Sequence, residues 1–226
     1  MSHSIGTESE YSLHRDLKFR YAGRRGLTEA EVAGYVADGI NAKGEFIEVQ
    51  TGSFGPLKKK VRDLAVLGKV KIIYPVIVTK YIEVFDTKGK RLYRRKSPSR
   101  GSPWDLFGAM IYAPSLPLIQ GVSIELILVD ADEERVKDGN GSWRRRGISI
   151  RDRKMTAFHG RIRLGKPPDY RRFVPFKKNE EFTSALLKEK AGIQIDLARK
   201  TLYVLAIIGV VKKIGKQRNA FVYCLV

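Results

Sequence analysis

The sequence predicts an α/β fold, a mixed sheet flanked by helices, followed by a small α+β module at the C-terminal end, and three observations carry that expectation. Two short apolar segments, residues 35–40 and 45–50, are joined by the turn-like Asn41-Ala42-Lys43-Gly44. Bulky residues (Tyr35, Val36, Ile40, Phe46, Ile47, Val49) fall on both of their faces, as in strands covered on both sides. A basic amphipathic stretch at 57–67 and an apolar run at 70–74 then alternate helix with strand. Beyond residue 180 the pattern becomes helix, turn, helix and two strands. The length of 226 residues allows one large or two modest domains, and the expected division is 1–172 and 173–226, with no internal repeat.

The first helix is expected over Ser9-Glu10-Tyr11-Ser12-Leu13-His14-Arg15-Asp16-Leu17, where the spacing of Glu10, Leu13 and Leu17 puts an acid on the core-facing side. Glu10 reads equally as a first-turn acid complementing the helix dipole. His14, one turn further on, could reach the same place, although a lone helical His is more often a surface residue. In the hairpin, an odd-length loop centred near Lys43 sets Asp38 opposite Glu48, with Cβ atoms roughly 4.5 to 5.5 Å apart. Carboxylates that close repel unless a proton or cation holds them. The bland alternative is that Asp38 opens the turn through an Asx bond and Glu48 points to water. On the helix at 57–67, Leu57, Val61 and Leu64 form the apolar stripe with Lys58 and Lys60 on its flanks, where lysines commonly serve only solubility.

This order of helix, hairpin with Asp38 then Glu48-Val49-Gln50, helix and strand resembles the core of the PD-(D/E)XK, or restriction-endonuclease-like, nuclease superfamily over about residues 8 to 86. The resemblance implies that Asp38 and Glu48, joined by Glu10 and the Val49 carbonyl, hold Mg²⁺ or Mn²⁺. Gln50 stands where the superfamily has a Lys. A carboxamide can position a water but carries no charge to stabilise hydroxide or the transition state, so Lys58 or Lys60 would have to supply the cation. The superfamily also implies a homodimer when both strands are cut.

Composition points to a polyanion independently. Forty-three Lys and Arg against 24 Asp and Glu leave a formal charge of +19, far beyond what solubility needs. Clusters occur at Arg91-Leu92-Tyr93-Arg94-Arg95-Lys96, at Arg144-Arg145-Arg146 and along 151–172. Any one of them alone would read as a solvated loop. Trp143 beside Arg144, Arg145 and Arg146 suits stacking or minor-groove contact with nucleic acid, or else a hydrophobic anchor for its hairpin. Three His and the single Cys224 argue against a zinc site or a disulfide framework. The longest apolar run, 203–211, is too short to span a membrane and is interrupted by Gly209, and the polar N-terminus predicts a cytoplasmic chain.

Further strands are expected at 70–92 with a hairpin at Asp86-Thr87-Lys88-Gly89, at 122–129 and at 148–150, and a helix from Ser102-Pro103 to about Tyr112. At the C-terminal end, Thr183 is a plausible N-cap for a helix broken at Ala191-Gly192. A second helix over 196–208 buries Ala198, Thr201, Leu202, Leu205 and Ile208, and two strands follow around Gly215-Lys216-Gln217-Arg218-Asn219. That pattern is similar to a winged helix-turn-helix. It implies Gln194, Arg199, Lys200 and Tyr203 toward a DNA major groove and Lys216 and Arg218 on backbone. Winged helices also serve as protein-docking modules. Together these readings predict a metal-dependent DNA endonuclease acting on duplex or branched DNA. The alternative is a catalytically inactive nuclease-fold protein that binds DNA or regulates.

Overall fold

A seven-stranded mixed sheet organises residues 27–164 of the computed structural model, which describes residues 11–226. Helix α1 (Ser12–Ala22) precedes the meander of β1 (Leu27–Val32), β2 (Tyr35–Ile40) and β3 (Phe46–Val49), each antiparallel to the next. Helix α2 (Leu57–Leu67) then crosses over to β4 (Val70–Phe85), which runs parallel to β3. The other edge of β4 pairs in parallel with β6 (Val122–Lys137), and β6 pairs antiparallel with β7 (Ile148–Leu164). Strand β5 (Arg91–Lys96) folds back on the far half of β4, so β3 and β5 share one β4 edge in succession.

The centre of the sheet, from β3 through β4 to β6, is apolar on both faces because both are covered, whereas β1 and Val36 of β2 are largely exposed. On one side Leu13 and Leu17 of α1 pack on Ile47, Val49, Ile73, Ile127 and Val129. On the other, Val61 and Leu64 of α2 join Phe46, Ile72, Val76, Ile124 and Leu126 in the main core. All four residues of β3 are buried, Glu48 among them, as a central strand with no solvated face requires.

Two expectations are corrected by the strands. The segments expected at 122–129 and 148–150 are 16 and 17 residues long in β6 and β7. Their charged halves lack an apolar alternation and are held by cross-strand ion pairs, Glu134 to Arg151 (2.8 Å) and Lys154 (2.5 Å), and Glu133 to Arg153 (2.8 Å). The helix expected from Ser102-Pro103 forms only over Asp105–Met110 (α3). Upstream, the Gly101 N–H bonds the Ile77 carbonyl at 2.8 Å and ties the chain to β4. A Cβ at Gly101 would lie 2.6 Å from that carbonyl oxygen, so only glycine permits the approach.

The C-terminal module holds a second sheet in the order β8-β10-β9, built from β8 (Phe182–Thr183), β9 (Val211–Gln217) and β10 (Ala220–Leu225) around α4 (Ser184–Ala191) and α5 (Ile195–Ile207). Thr183 caps α4 by accepting the Leu186 N–H, and Gly192, at φ +65°, closes it. The expected stripe of Ala198, Thr201, Leu202, Leu205 and Ile208 is buried. This module shares the main core with the large sheet: Phe173 meets Phe107 of α3 edge-to-face at 4.9 Å, and Phe176 stacks on Phe182 at 4.1 Å. Among the described residues no helix is long and apolar enough to cross a membrane.

Candidate functional site

The β2–β3 hairpin turns on Asn41, whose Oδ1 accepts the N–H groups of Lys43 (2.9 Å) and Glu45 (3.0 Å), so the Asx bond belongs to Asn41 and Asp38 is released from that role. The register sets Gly39 opposite Ile47 and Ile40 opposite Phe46. One step further along it, Asp38 faces Glu48.

The two acids are held differently. Asp38 Oδ2 accepts the Val49 N–H at 2.7 Å and lies 3.3 Å from His14 Nε2, while Lys18 Nζ lies 3.4 Å from Oδ1. Burial works against its ionisation, but the His14 and Val49 hydrogen bonds and the charges of His14 and Lys18 hold its pKa below the ordinary value. Glu48 is 1% exposed. Its Oε2 accepts a 2.6 Å bond from Lys60 Nζ, which also donates to the Val36 carbonyl at 2.7 Å. Burial nevertheless outweighs Lys60 and, helped by the negative charge of Asp38, pushes Glu48 up to about 7. Glu48 Oε1 is buried with no hydrogen-bond partner among the described residues. The pair therefore combines one ionised acid with one poised to exchange a proton near neutrality, and a carboxylate oxygen left for a further ligand.

Of the expected site residues, the structure brings together Asp38, Glu48 and Lys60. Glu10 lies outside the described residues. Gln50 follows β3, and its amide nitrogen donates to the Ser53 carbonyl in the loop before α2. Lys58 stands exposed on α2, two residues and so roughly half a turn from Lys60, which is the lysine that reaches Glu48. Lys18 was not anticipated. Its i,i+4 spacing from His14, beside the core-facing Leu13 and Leu17, is the signal that places both on one flank of α1. Among the described residues no group of three or more His, Cys, Asp or Glu side chains is arranged to hold a metal ion.

The other candidate residues lie at two distant places. Gln194 is the N-cap of α5, and Gln194, Arg199 and Tyr203 are exposed, whereas Lys200 is half-buried and bonded to Asp196 at 2.7 Å. Arg199 and Tyr203 line a cleft of about 680 Å³ whose far wall is Arg218, Phe221 and Tyr223. Lys216 lies 5.1 Å from the Phe221 ring, and Arg218, at φ +54°, opens the two-residue turn between β9 and β10. Arg144, Arg145 and Arg146 sit on the β6–β7 loop, where Trp143 is 82% exposed and so does not anchor the hairpin.

Comparison with known proteins shows a relative and a family. An uncharacterized protein of Treponema pallidum (strain Nichols) is 30% identical over 152 residues, which cover 67% of this chain and 61% of that protein, so the match spans less than two thirds of the relative. No solved structure matches. A family model described as "Domain of unknown function (DUF8091)" matches residues 11–165, a stretch holding Asp38, Glu48, His14, Lys18 and Lys60 and ending before the C-terminal module. The chain belongs to this DUF8091 family.

Proposed function

We propose that the protein is a metal-dependent DNA endonuclease of the PD-(D/E)XK type, carried to its substrate by a winged helix formed by residues 182–225. The observation that carries this reading is the buried Glu48 Oε1, without a hydrogen-bond partner among the described residues, beside Asp38, an oxygen pair suited to Mg²⁺ or Mn²⁺. The order α1, antiparallel meander, α2, parallel β4, with the acids on β2 and β3, supports it. So does the sheet order β8-β10-β9 around α4 and α5 in the C-terminal module.

A divalent ion held by Asp38 and Glu48 would lower the pKa of a water and screen phosphate charge. The chain's own groups do the rest. Lys60 takes the place left by Gln50, holding a positive charge at the acids where negative charge grows on the phosphodiester. His14 and Lys18 keep Asp38 ionised. On the winged module, Gln194, Arg199 and Tyr203 would face the major groove, with Lys216 and Arg218 on the backbone.

The test is cleavage of supercoiled, linear, single-stranded and four-way-junction DNA with Mg²⁺ or Mn²⁺, comparing wild type with Asp38→Ala, Glu48→Ala and Lys60→Met. Cutting that requires metal and all three side chains is the expected result. A second reading, a nuclease-fold scaffold that binds DNA without cutting, is favoured by the lysines themselves, since Lys18 and Lys60 already balance both acids. Salt-sensitive binding with no cutting on any substrate would establish it.

A further inference from the structure

The β6–β7 loop presents Trp143 to solvent, and it does so from a hydrogen-bonded frame. The Gly141 N–H donates to the Gly147 carbonyl (3.1 Å), that of Arg145 to Ser142 (2.9 Å) and that of Arg146 to Trp143 (3.0 Å). Asp138 accepts from the Asn140 N–H (3.0 Å) and the Ser149 hydroxyl (2.7 Å), and Arg145 Nε donates to the Ile148 carbonyl (3.2 Å). A Cβ at Gly141 would lie 1.9 Å from the Ile148 oxygen, so the loop closes only around glycine. An ordered loop that leaves an indole 82% exposed gains nothing from it in folding. The other tryptophan, Trp104, packs on Phe107 and Phe173.

The surroundings define the partner. The Arg144 guanidinium lies 5.5 Å from the Trp143 ring centroid, with Arg145 and Arg146 following in the chain. Behind the loop, Arg151 lies over Phe85, which is paired with Arg91 at the start of the fully exposed β5. A flat aromatic at the end of a line of cations fits a chain of phosphates bearing bases.

We propose that Trp143 stacks on an unpaired nucleobase while Arg144 and Arg146 take the adjoining phosphates, so that this tip selects nucleic acid with single-stranded or branched character. Stacking one base on an aromatic ring is worth about 10- to 100-fold in affinity. Pulling a base out of a duplex forfeits a comparable factor, so the gain is realised only where the base is already free. The inference rests on the nucleic-acid part of the proposed function and not on its hydrolytic part.

The experiment is tryptophan fluorescence of wild type, Trp143→Ala and Trp143→Phe, titrated without divalent metal against a thymidine oligonucleotide, a blunt duplex and phosphatidylserine vesicles, with light scattering or sedimentation recording binding separately. Subtracting the Trp143→Ala emission isolates Trp143. The expected result is quenching of that component by the oligonucleotide, with affinity falling about 10-fold in Trp143→Ala, mostly retained in Trp143→Phe, and unchanged on the duplex. Oligonucleotide binding without quenching, an equal loss on the duplex, or a response to vesicles alone would each overturn it. Because no metal is present, inactivity as a nuclease leaves the result unaffected.

Discussion

Replacing Glu48 by Gln converts the acid pair into a test of its own electrostatics. The native carboxyl titrates at about 7 against an ordinary 4.5. The folded state therefore binds the proton more tightly than the unfolded chain, and the associated stability is complete below the unfolded pKa and is lost as pH rises through the folded one. Over the interval from about pH 5 to about pH 8, that linkage amounts to about 2 to 3 kcal/mol. Glutamine keeps the shape and cannot titrate, and groups remote from the acid pair cancel in the comparison. Urea unfolding at the two pH values should show Glu48→Gln gaining about 2 to 3 kcal/mol on wild type as pH rises, beside any constant offset from the changed Lys60 contact. Adding Mg²⁺ or Mn²⁺ near pH 8 should stabilise wild type and leave Glu48→Gln unmoved, because the ion takes the proton's place. Wild type and variant tracking each other in parallel across the range would refute the argument that burial dominates at Glu48.

Other consequences are open to the same kind of measurement. Glu133 is fully buried and receives Lys80 (3.1 Å), Arg135 (2.5 Å) and Arg153 (2.8 Å), and although burial opposes ionisation, those partners bring its pKa to about 2. Its stabilisation is present above the unfolded pKa and lost as pH falls toward 2, so an acid titration of Glu133→Gln should lose less stability below about pH 4.5 than wild type does. Phe107→Ala removes a ring in contact with Trp104 and Phe173 and should cost about 3 to 5 kcal/mol by denaturant unfolding; a loss under about 1 would show that α3 does not couple the module to the sheet. Gly101→Ala should destabilise and disturb the β4 edge, seen as faster exchange of the position-101 amide that bonds the Ile77 carbonyl, and unchanged exchange would contradict the close approach to Ile77. Lys216→Ala with Arg218→Ala should lower duplex affinity and make its salt dependence shallower by about two phosphate contacts, read from binding at several salt concentrations.

What the sequence determined by itself are the features set by neighbours along the chain. The alternation around Asn41-Ala42-Lys43-Gly44 is enough to pair Asp38 with Glu48, because turn length alone sets an antiparallel register. Thr183, Gly192, Gly209 and the apolar stripe of α5 mark the C-terminal helices, since caps and a 3.6-residue period are local properties. The charged halves of β6 and β7 were hidden, because Glu133 and Glu134 meet Arg153, Arg151 and Lys154 only across the ladder. Which lysine serves the acids was likewise undecided until α2 was docked. Lys58 and Lys60 are equivalent flanks of one stripe in the sequence, and the crossover from β3 to β4 turns only Lys60 onto Glu48. The same packing buried Glu48, raised its proton affinity and left one oxygen without a partner among the described residues, while the Gln50 amide nitrogen bonds the Ser53 carbonyl. Burial is a property of the assembled layers rather than of any segment, so only the tertiary structure could decide it.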